Sequence, residues 1–385
     1  MSHEAGILLG LFVIFVAAQL GAEIAQRLKL PGVVGEIAAG CVVGPSVLGW
    51  VQISEPLGVL AEIGAVLLLF SVGLETRLDD LKKVGRIATL VGVCGVALPF
   101  ALGAAWAKAS GFDTPNALFV AATFVATSAG ITARVLQELG VLTRLESRII
   151  MGAAVIDDIL AMLLLGLVTG LQGGGGIDPV HLLLVLAQAV GFIVLIAVGG
   201  TQLMRHSSEL LEAPVNPLSP LTLSLALCLG LAAAAAYLGL AAIIGAFLAG
   251  MAVAETRQRH VLERQLRPIA ALLVPFFFVV TGANVRLSEL ASLEALTTLL
   301  VVTVLAVVSK LVGCGAGAWS LGARPALLVG VGMVPRGEVG IIIASLGKEA
   351  GVFTDTMYAV IVAMSLLTSV MAPPMLRVLL RERPS

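Results

Sequence analysis

The stretch Ser147–Leu171, SRIIMGAAVIDDILAMLLLGLVTGL, sets two adjacent carboxylates, Asp157 and Asp158, inside a run otherwise built of Leu, Ile, Val, Ala and Gly. In water such a run is a buried helix with an expensive flaw. In a bilayer it is long enough to span, and the carboxylates mark a site. Composition decides between the two. The chain of 385 residues is 59% hydrophobic and 12% charged, with mean hydropathy +1.07. A soluble domain is about 45–50% apolar and about 25% charged. Apolar runs of spanning length recur along the whole chain, far longer than strands and without period-2 alternation. The expected fold is an all-α polytopic membrane protein.

Turn and charge signals divide the chain into thirteen expected spans. They lie near 6–26, 33–50, 57–76, 87–107, 115–138, 148–171, 180–204, 217–237, 239–256, 267–285, 293–319, 325–348 and 355–377. Cytoplasmic loops carry the excess of Lys and Arg. With the N-terminus outside, seventeen of the 23 basic residues fall on the inner side; only Lys108, Arg286 and Lys348 fall outside. The C-terminus is then cytoplasmic and the membrane is the cell's inner (plasma) membrane. The start, MSHEAGILLGLF, has no basic n-region and reads as a retained span rather than a signal peptide.

Four segments recur in order at offsets of 209 to 211 residues. VGEIAAGCVV (34–43) resembles IGAFLAGMAV (244–253), and GLETRLDDL (73–81) resembles GANVRLSEL (282–290). ALFV (117–120) resembles ALLV (326–329), and ELGVLT (138–143) resembles EAGVFT (349–354). The first repeat is 6–171, the connector helix 180–204 and the second repeat 217–380. A shift of seven spans inverts the second copy. Inverted repeats belong to secondary transporters, whose substrate sits near the midplane where the repeats meet.

Charge at the midplane costs roughly 2.5–3.5 kcal/mol per residue on insertion scales. Asp157 and Asp158 lie near the middle of span 6, and Lys310 lies inside span 11 with no acidic residue in its own helix. One aspartate suffices to pair with Lys310. The second is surplus to an ion pair and suits a site where a small cation and protons compete for the same oxygens. Spans 5 and 12 are both interrupted, by Thr127, Ser128 and Gly130 in the first and by Pro335 and Gly337 in the second. Two broken helices crossing at the midplane would aim their dipole ends at each other. Glu338 would compensate the positive N-terminal ends and Arg336 the negative C-terminal ends. For Thr127 and Ser128 two readings stand: cation ligands, or hydroxyls bonded back to their own helix. Glu23, Glu36 and Glu62 are expected to pack against another helix or bond locally, and Asn284 and Glu255 to face water. Cys41, Cys94, Cys228 and Cys314 read as packing residues, with no disulfide or metal cluster implied.

The combination AAVIDDIL, VATSAGITARVLQELGVL, LLFSVGLETRL and GMVPRGEVG resembles the monovalent cation/proton antiporter superfamily. It is most similar to the NapA-type Na+/H+ antiporters and to the membrane part of Kef-type K+/H+ antiporters, over essentially the whole chain. That resemblance implies a homodimer. It also implies a core, 85–171 and 292–380, that moves against a dimerisation part, 1–84 and 217–291, in an elevator-like cycle. It makes Asp158 the main cation and proton site, with Asp157 pairing Lys310 in part of the cycle. A double Asp resembles the electrogenic type that exchanges two protons per cation. Kef-type proteins add a cytoplasmic nucleotide-binding domain after the last span, and this chain stops at Ser385, so gating by such a domain is not expected. Some relatives carry an acidic residue where this chain has Thr127 and Ser128, which bears on Na+ against K+ preference.

The leading expectation is therefore exchange of Na+ or Li+ for H+, with Asp158 and Asp157 as Na+ ligands. A K+/H+ antiporter on the same scaffold is the alternative, and a sodium-coupled organic anion symporter the alternative of another class. A net charge of −1 marks no nucleic-acid partner. No nucleophile–base set suggests an enzyme, and no cofactor is implied.

Overall fold

The computed structural model describes residues 3–28, 30–76, 78–172, 179–206, 219–285 and 287–381. Among the described residues the chain is helical, without strands. The helices are α1 (His3–Arg27), α2 (Gly32–Val43), α3 (Glu55–Leu74), α4 (Leu78–Ala109), α5 (Thr114–Val125), α6 (Ala129–Glu138) and α7 (Leu145–Gln172). They continue as α8 (Pro179–Val194), a π-helical turn Leu195–Gly200, α9 (Thr201–His206), α10 (Ser219–Tyr237), α11 (Ala242–Ala254) and α12 (Arg259–Ala283). The last four are α13 (Leu293–Gly317), α14 (Ala323–Gly332), α15 (Glu338–Glu349) and α16 (Asp355–Arg381). Nine segments among the described residues are long and apolar enough to cross a bilayer, and α2, α11, α14 and most of α15 are shorter apolar helices.

Local signals set the ends. Asp113 accepts from the Asn116 amide at 3.3 Å at the start of α5, and Ser292 accepts from the Ala295 amide at 3.1 Å at the start of α13. Gly140 (φ 65°) follows α6 and Gly351 (φ 71°) follows α15, each in the left-handed region where a side chain would strain the backbone. These are the two glycines of ELGVLT and EAGVFT.

Helices meet where glycine removes the side chain. A Cβ on Gly40 would stand 2.1 Å from the Val279 carbonyl oxygen, and one on Gly250 would stand 2.3 Å from that of Phe70. A Cβ on Gly282 would stand 2.1 Å from the Ile37 oxygen, and one on Gly73 would stand 2.3 Å from that of Phe247. α2 thus lies against α12, and α11 against α3, backbone to backbone, as small residues allow in lipid. Elsewhere α13 runs closely along α4, and α4 also packs on α5 and α7.

Three expectations change. The basic residues Lys83, Arg86, Arg259, Arg264 and Arg267, read as loop or span edge, sit in helix, because α4 and α12 continue past their apolar stretch. Hydropathy ends at the first charges, whereas a helix can extend into the headgroup region. Glu62 is exposed rather than packed against a helix. It lies two turns into α3, near enough to the end for its side chain to reach out. Asn284 does not simply face water: it is half-buried, and its Nδ2 donates to the Val280 oxygen at 3.0 Å.

Candidate functional site

Span 5 is broken into α5 and α6 at residues 126–128, and span 12 into α14 and α15 at residues 333–337. The two breaks touch. The Ser128 amide donates to the Pro335 oxygen at 2.7 Å, and the Thr132 hydroxyl to the Gly332 oxygen at 2.7 Å. The Thr127 hydroxyl points at the Met333 oxygen at 3.4 Å. Gly337 permits the crossing, since a Cβ there would stand 2.6 Å from Ser128 Oγ. The orphan carbonyls that end α14 are therefore answered by groups at the start of α6.

The C-terminal end of α5 is answered by cations. Lys310, fully buried on α13, spends its three donors on Asp157 Oδ1 (2.5 Å), the Val125 oxygen (2.7 Å) and the Gly95 oxygen (2.9 Å). Arg336, also fully buried, donates through Nη2 to the Phe124 oxygen at 2.5 Å and the Ala306 oxygen at 3.2 Å. Its Nη1 donates to the Val334 oxygen at 3.2 Å. Arg336 thus lies on a C-terminal helix end, and Lys310 shares that end with it. Two positive groups on the last carbonyls of α5 oppose the negative pole of that helix. The backbone at Arg336 is itself held: its amide donates to Thr368 Oγ1 at 3.3 Å, and its oxygen accepts from the Ser369 hydroxyl.

Asp157 is completely buried. One oxygen takes Lys310, and the other, Oδ2, has no hydrogen-bond partner; the Thr127 hydroxyl and the Arg336 charge also bear on the carboxylate. Asp158 is 8% exposed. As the next residue on the helix it points about 100° away from Asp157. Among the described residues no group of three or more His, Cys, Asp or Glu could hold a metal ion. The oxygen atoms in this region belong to the Asp pair, the hydroxyls of Thr127 and Ser128, and the carbonyls of the breaks. The side chain of Glu338 lies outside the described residues; its backbone opens α15.

Sequence reasoning named Asp157, Asp158, Lys310, Arg336, Thr127 and Ser128; the structure brings Lys310, Arg336, Thr127 and Ser128 to the breaks with Asp157 on Lys310, and Asp158 follows Asp157 on α7. That reasoning did not single out Gly95, Thr132, Thr368 or Ser369. Thr132 shows no signal beyond a hydroxyl one turn into α6. Ser365, Thr368 and Ser369 form a 3–4 spaced hydroxyl row in MSLLTSVM that could have been noticed.

Comparison with known proteins gives the family and the fold. Residues 11–382 match the family described as "Sodium/hydrogen exchanger, transmembrane". The chain belongs to that family. It is 37% identical over 372 residues to the Na+/H+-K+ antiporter GerN of Bacillus cereus, covering 95% of this chain and 94% of that one. It is 36% identical to the high-affinity Na+/H+ antiporter NhaS3 of Synechocystis, covering 97% and 89%. The fold matches the sodium proton antiporter MjNhaP1 from Methanocaldococcus jannaschii with a TM-score of 0.68 at 18% identity, over 99% of both chains. Membership makes this all-helical chain a multi-pass membrane protein of an exchanger family.

Proposed function

We propose that this protein exchanges Na+ or Li+ for H+ across the cytoplasmic membrane by alternating access, with cation and protons competing for Asp158 and Asp157. The observation that carries the reading is the fully buried Lys310–Asp157 pair set at the crossing of two broken helices, with a second carboxylate next to it. In the proton-loaded state Asp158 is neutral and the Asp157–Lys310 pair is closed. Arrival of Na+ at Asp158 requires that carboxylate to ionise and release its proton to water. A cation also drawing on Asp157 would weaken its hold on Lys310, which could then lose a proton. That second proton makes the exchange electrogenic. Thr127 and Ser128 stand at the break to complete the oxygen set.

The core is α4–α7 with α13–α16, and α1–α3 with α10–α12 form the dimerisation part. The matched close approaches of Gly40 and Gly250, and of Gly73 and Gly282, support reading the halves as inverted repeats. An apolar groove of about 540 Å³ on α1 and α2, with Phe12, Leu20 and Ile24 exposed, is the face we assign to the second copy of a homodimer. The N-terminus is outside and the C-terminus cytoplasmic, from the Lys and Arg bias. The name of GerN favours K+ as a second substrate on the same scaffold.

The test is proton flux in sealed proteoliposomes carrying a pH gradient, with Na+, Li+ or K+ added in turn. Dissipation by Na+ or Li+ that disappears in Asp158→Asn supports the proposal. Dissipation by K+ alone replaces the substrate, and none by any cation in folded, inserted protein overturns it.

A further inference from the structure

A second charged cluster lies away from the Asp pair, where the far end of α6 meets the start of α2. Arg134 and Glu138 project from α6 and Glu36 from α2. Arg134 Nε donates to Glu138 Oε1 at 2.9 Å, and the other oxygen of Glu138 accepts from the Gly32 amide at 3.0 Å. Glu138 is thereby fully engaged as an anion. Glu36 is not. It is 4% exposed, its Oε1 stands 4.0 Å from Arg134 Nη2, beyond hydrogen-bond distance, and its Oε2 has no hydrogen-bond partner. Two carboxylates thus share one guanidinium, and the more deeply buried one receives the weaker contact.

A buried carboxylate without donors is strongly disfavoured, and binding one proton removes the difficulty. The charged groups acting on Glu36 are Arg134 and Glu138. Of the other elements packed on α2, α1 carries the exposed Glu23–Arg27 pair, α16 carries Arg377, which does not act on Glu36, and α12 meets α2 at Val279, Gly282 and Ala283. None of these offers Glu36 a counter-charge.

We infer that Glu36 is a second protonation site, separate from Asp157 and Asp158, and that its proton controls how firmly α6 is held to α2. With the proton on, Arg134 stays with Glu138, and the cluster holds α6 to α2 through the Glu138 contact with the Gly32 amide. With the proton released to water, the Glu36 carboxylate draws Arg134 from 4.0 Å into a direct ion pair between the two helices, and the joint tightens. α6 carries the Ser128 break at its other end, and Gln137 already ties it to Glu75 and Ser71 of α3 at 3.0 and 3.3 Å. The effect on rate rests on the exchange reading: α6 belongs to the moving core and α2 to the stationary part, so the tightened joint slows exchange at high cytoplasmic pH.

Two readouts separate the proton site from the exchange reading. Infrared spectra of purified protein titrated with alkali follow the protonated-carboxyl stretch, and Glu36→Gln should remove one titrating component. Arg134→Gln should keep that component and move its loss to higher pH, because the competing cation is gone; it also serves if Glu36→Gln folds poorly. In proteoliposomes Glu36→Gln should exchange several-fold faster than wild type at high internal pH and equally at low pH. Infrared spectra of wild type and Glu36→Gln that superimpose overturn the site. A titrating band with unchanged pH–rate profiles overturns the control of α6. If wild type shows no cation-dependent flux while the band titrates, the site stands and the exchange reading falls.

Discussion

The two broken helices have similar backbones and opposite chemistry. The C-terminal carbonyls of α5, at Phe124 and Val125, meet two full positive charges from Arg336 and Lys310. The carbonyls at the end of α14 and in the break that follows, Gly332, Met333 and Pro335, meet two hydroxyls and one amide at the start of α6. A break in lipid must satisfy its freed backbone groups wherever it occurs. The end of α5 is met by charge, whereas the second break is met mainly by neutral donors, with Arg336 Nη1 reaching only the Val334 oxygen there. Backbone satisfaction therefore accounts for the shared geometry, and the charged break is the one joined to Asp157 through Lys310.

The largest expected effect is on transport. Asp158→Asn should reduce Na+-dependent proton release to the level of empty liposomes while the protein elutes as a folded species. Retained exchange would remove Asp158 from the charged break's chemistry. Next comes the ion pair. Lys310→Met leaves Asp157 without its cation, and breaking a buried pair costs about 3–5 kcal/mol. The thermal midpoint should drop sharply, and adding Asp157→Asn should recover most of it; equal midpoints for single and double variants would refute a net cost of the lone carboxylate. Arg336→Gln leaves the Phe124 carbonyl at the end of α5 short of its donor, at about 1–3 kcal/mol, whereas the Ala306 oxygen inside α13 keeps the Ser309 hydroxyl. Arg336→Lys should rescue only part of that, since one ammonium cannot reach all three acceptors.

The neutral break should respond more weakly. Gly337→Ala pushes a methyl against Ser128 Oγ, and overpacking of this kind costs about 1–3 kcal/mol. Ser128→Gly in that background should relieve it, because the Ser128 Cβ would itself stand 2.8 Å from the new methyl, and absence of coupling would mean that the breaks do not press together there. Thr132→Val removes one hydrogen bond, about 1 kcal/mol. A loss as large as that of Arg336→Gln would erase the distinction between the breaks.

Much of this was legible in the chain. The interruptions at Thr127–Ser128 and at Pro335–Gly337 announced themselves because Pro and Gly act on the local backbone. Asp157, Asp158 and Lys310 stood out because charge in an apolar run has no local explanation. Helix ends were less legible: α12 begins at Arg259, eight residues before its expected start, because a helix need not end where the lipid does. Glu36 and Arg134 looked alike as isolated charges in apolar spans, and their meeting across α2 and α6 depends on helix packing.

Sequence by itself determined that this is a helical membrane protein with two interrupted spans and a buried acidic pair. Those properties follow from hydropathy, backbone chemistry and the cost of charge in hydrocarbon, each of which acts within a single segment. Tertiary structure alone decided which groups answer which. It placed Lys310 and Arg336 on the same end of α5, Thr132 on the Gly332 carbonyl, and left Glu36 short of the guanidinium that Glu138 holds. Electrostatics and hydrogen bonding act over a few ångströms, and residues 185, 200 or 212 positions apart come within that range only once the helices have packed.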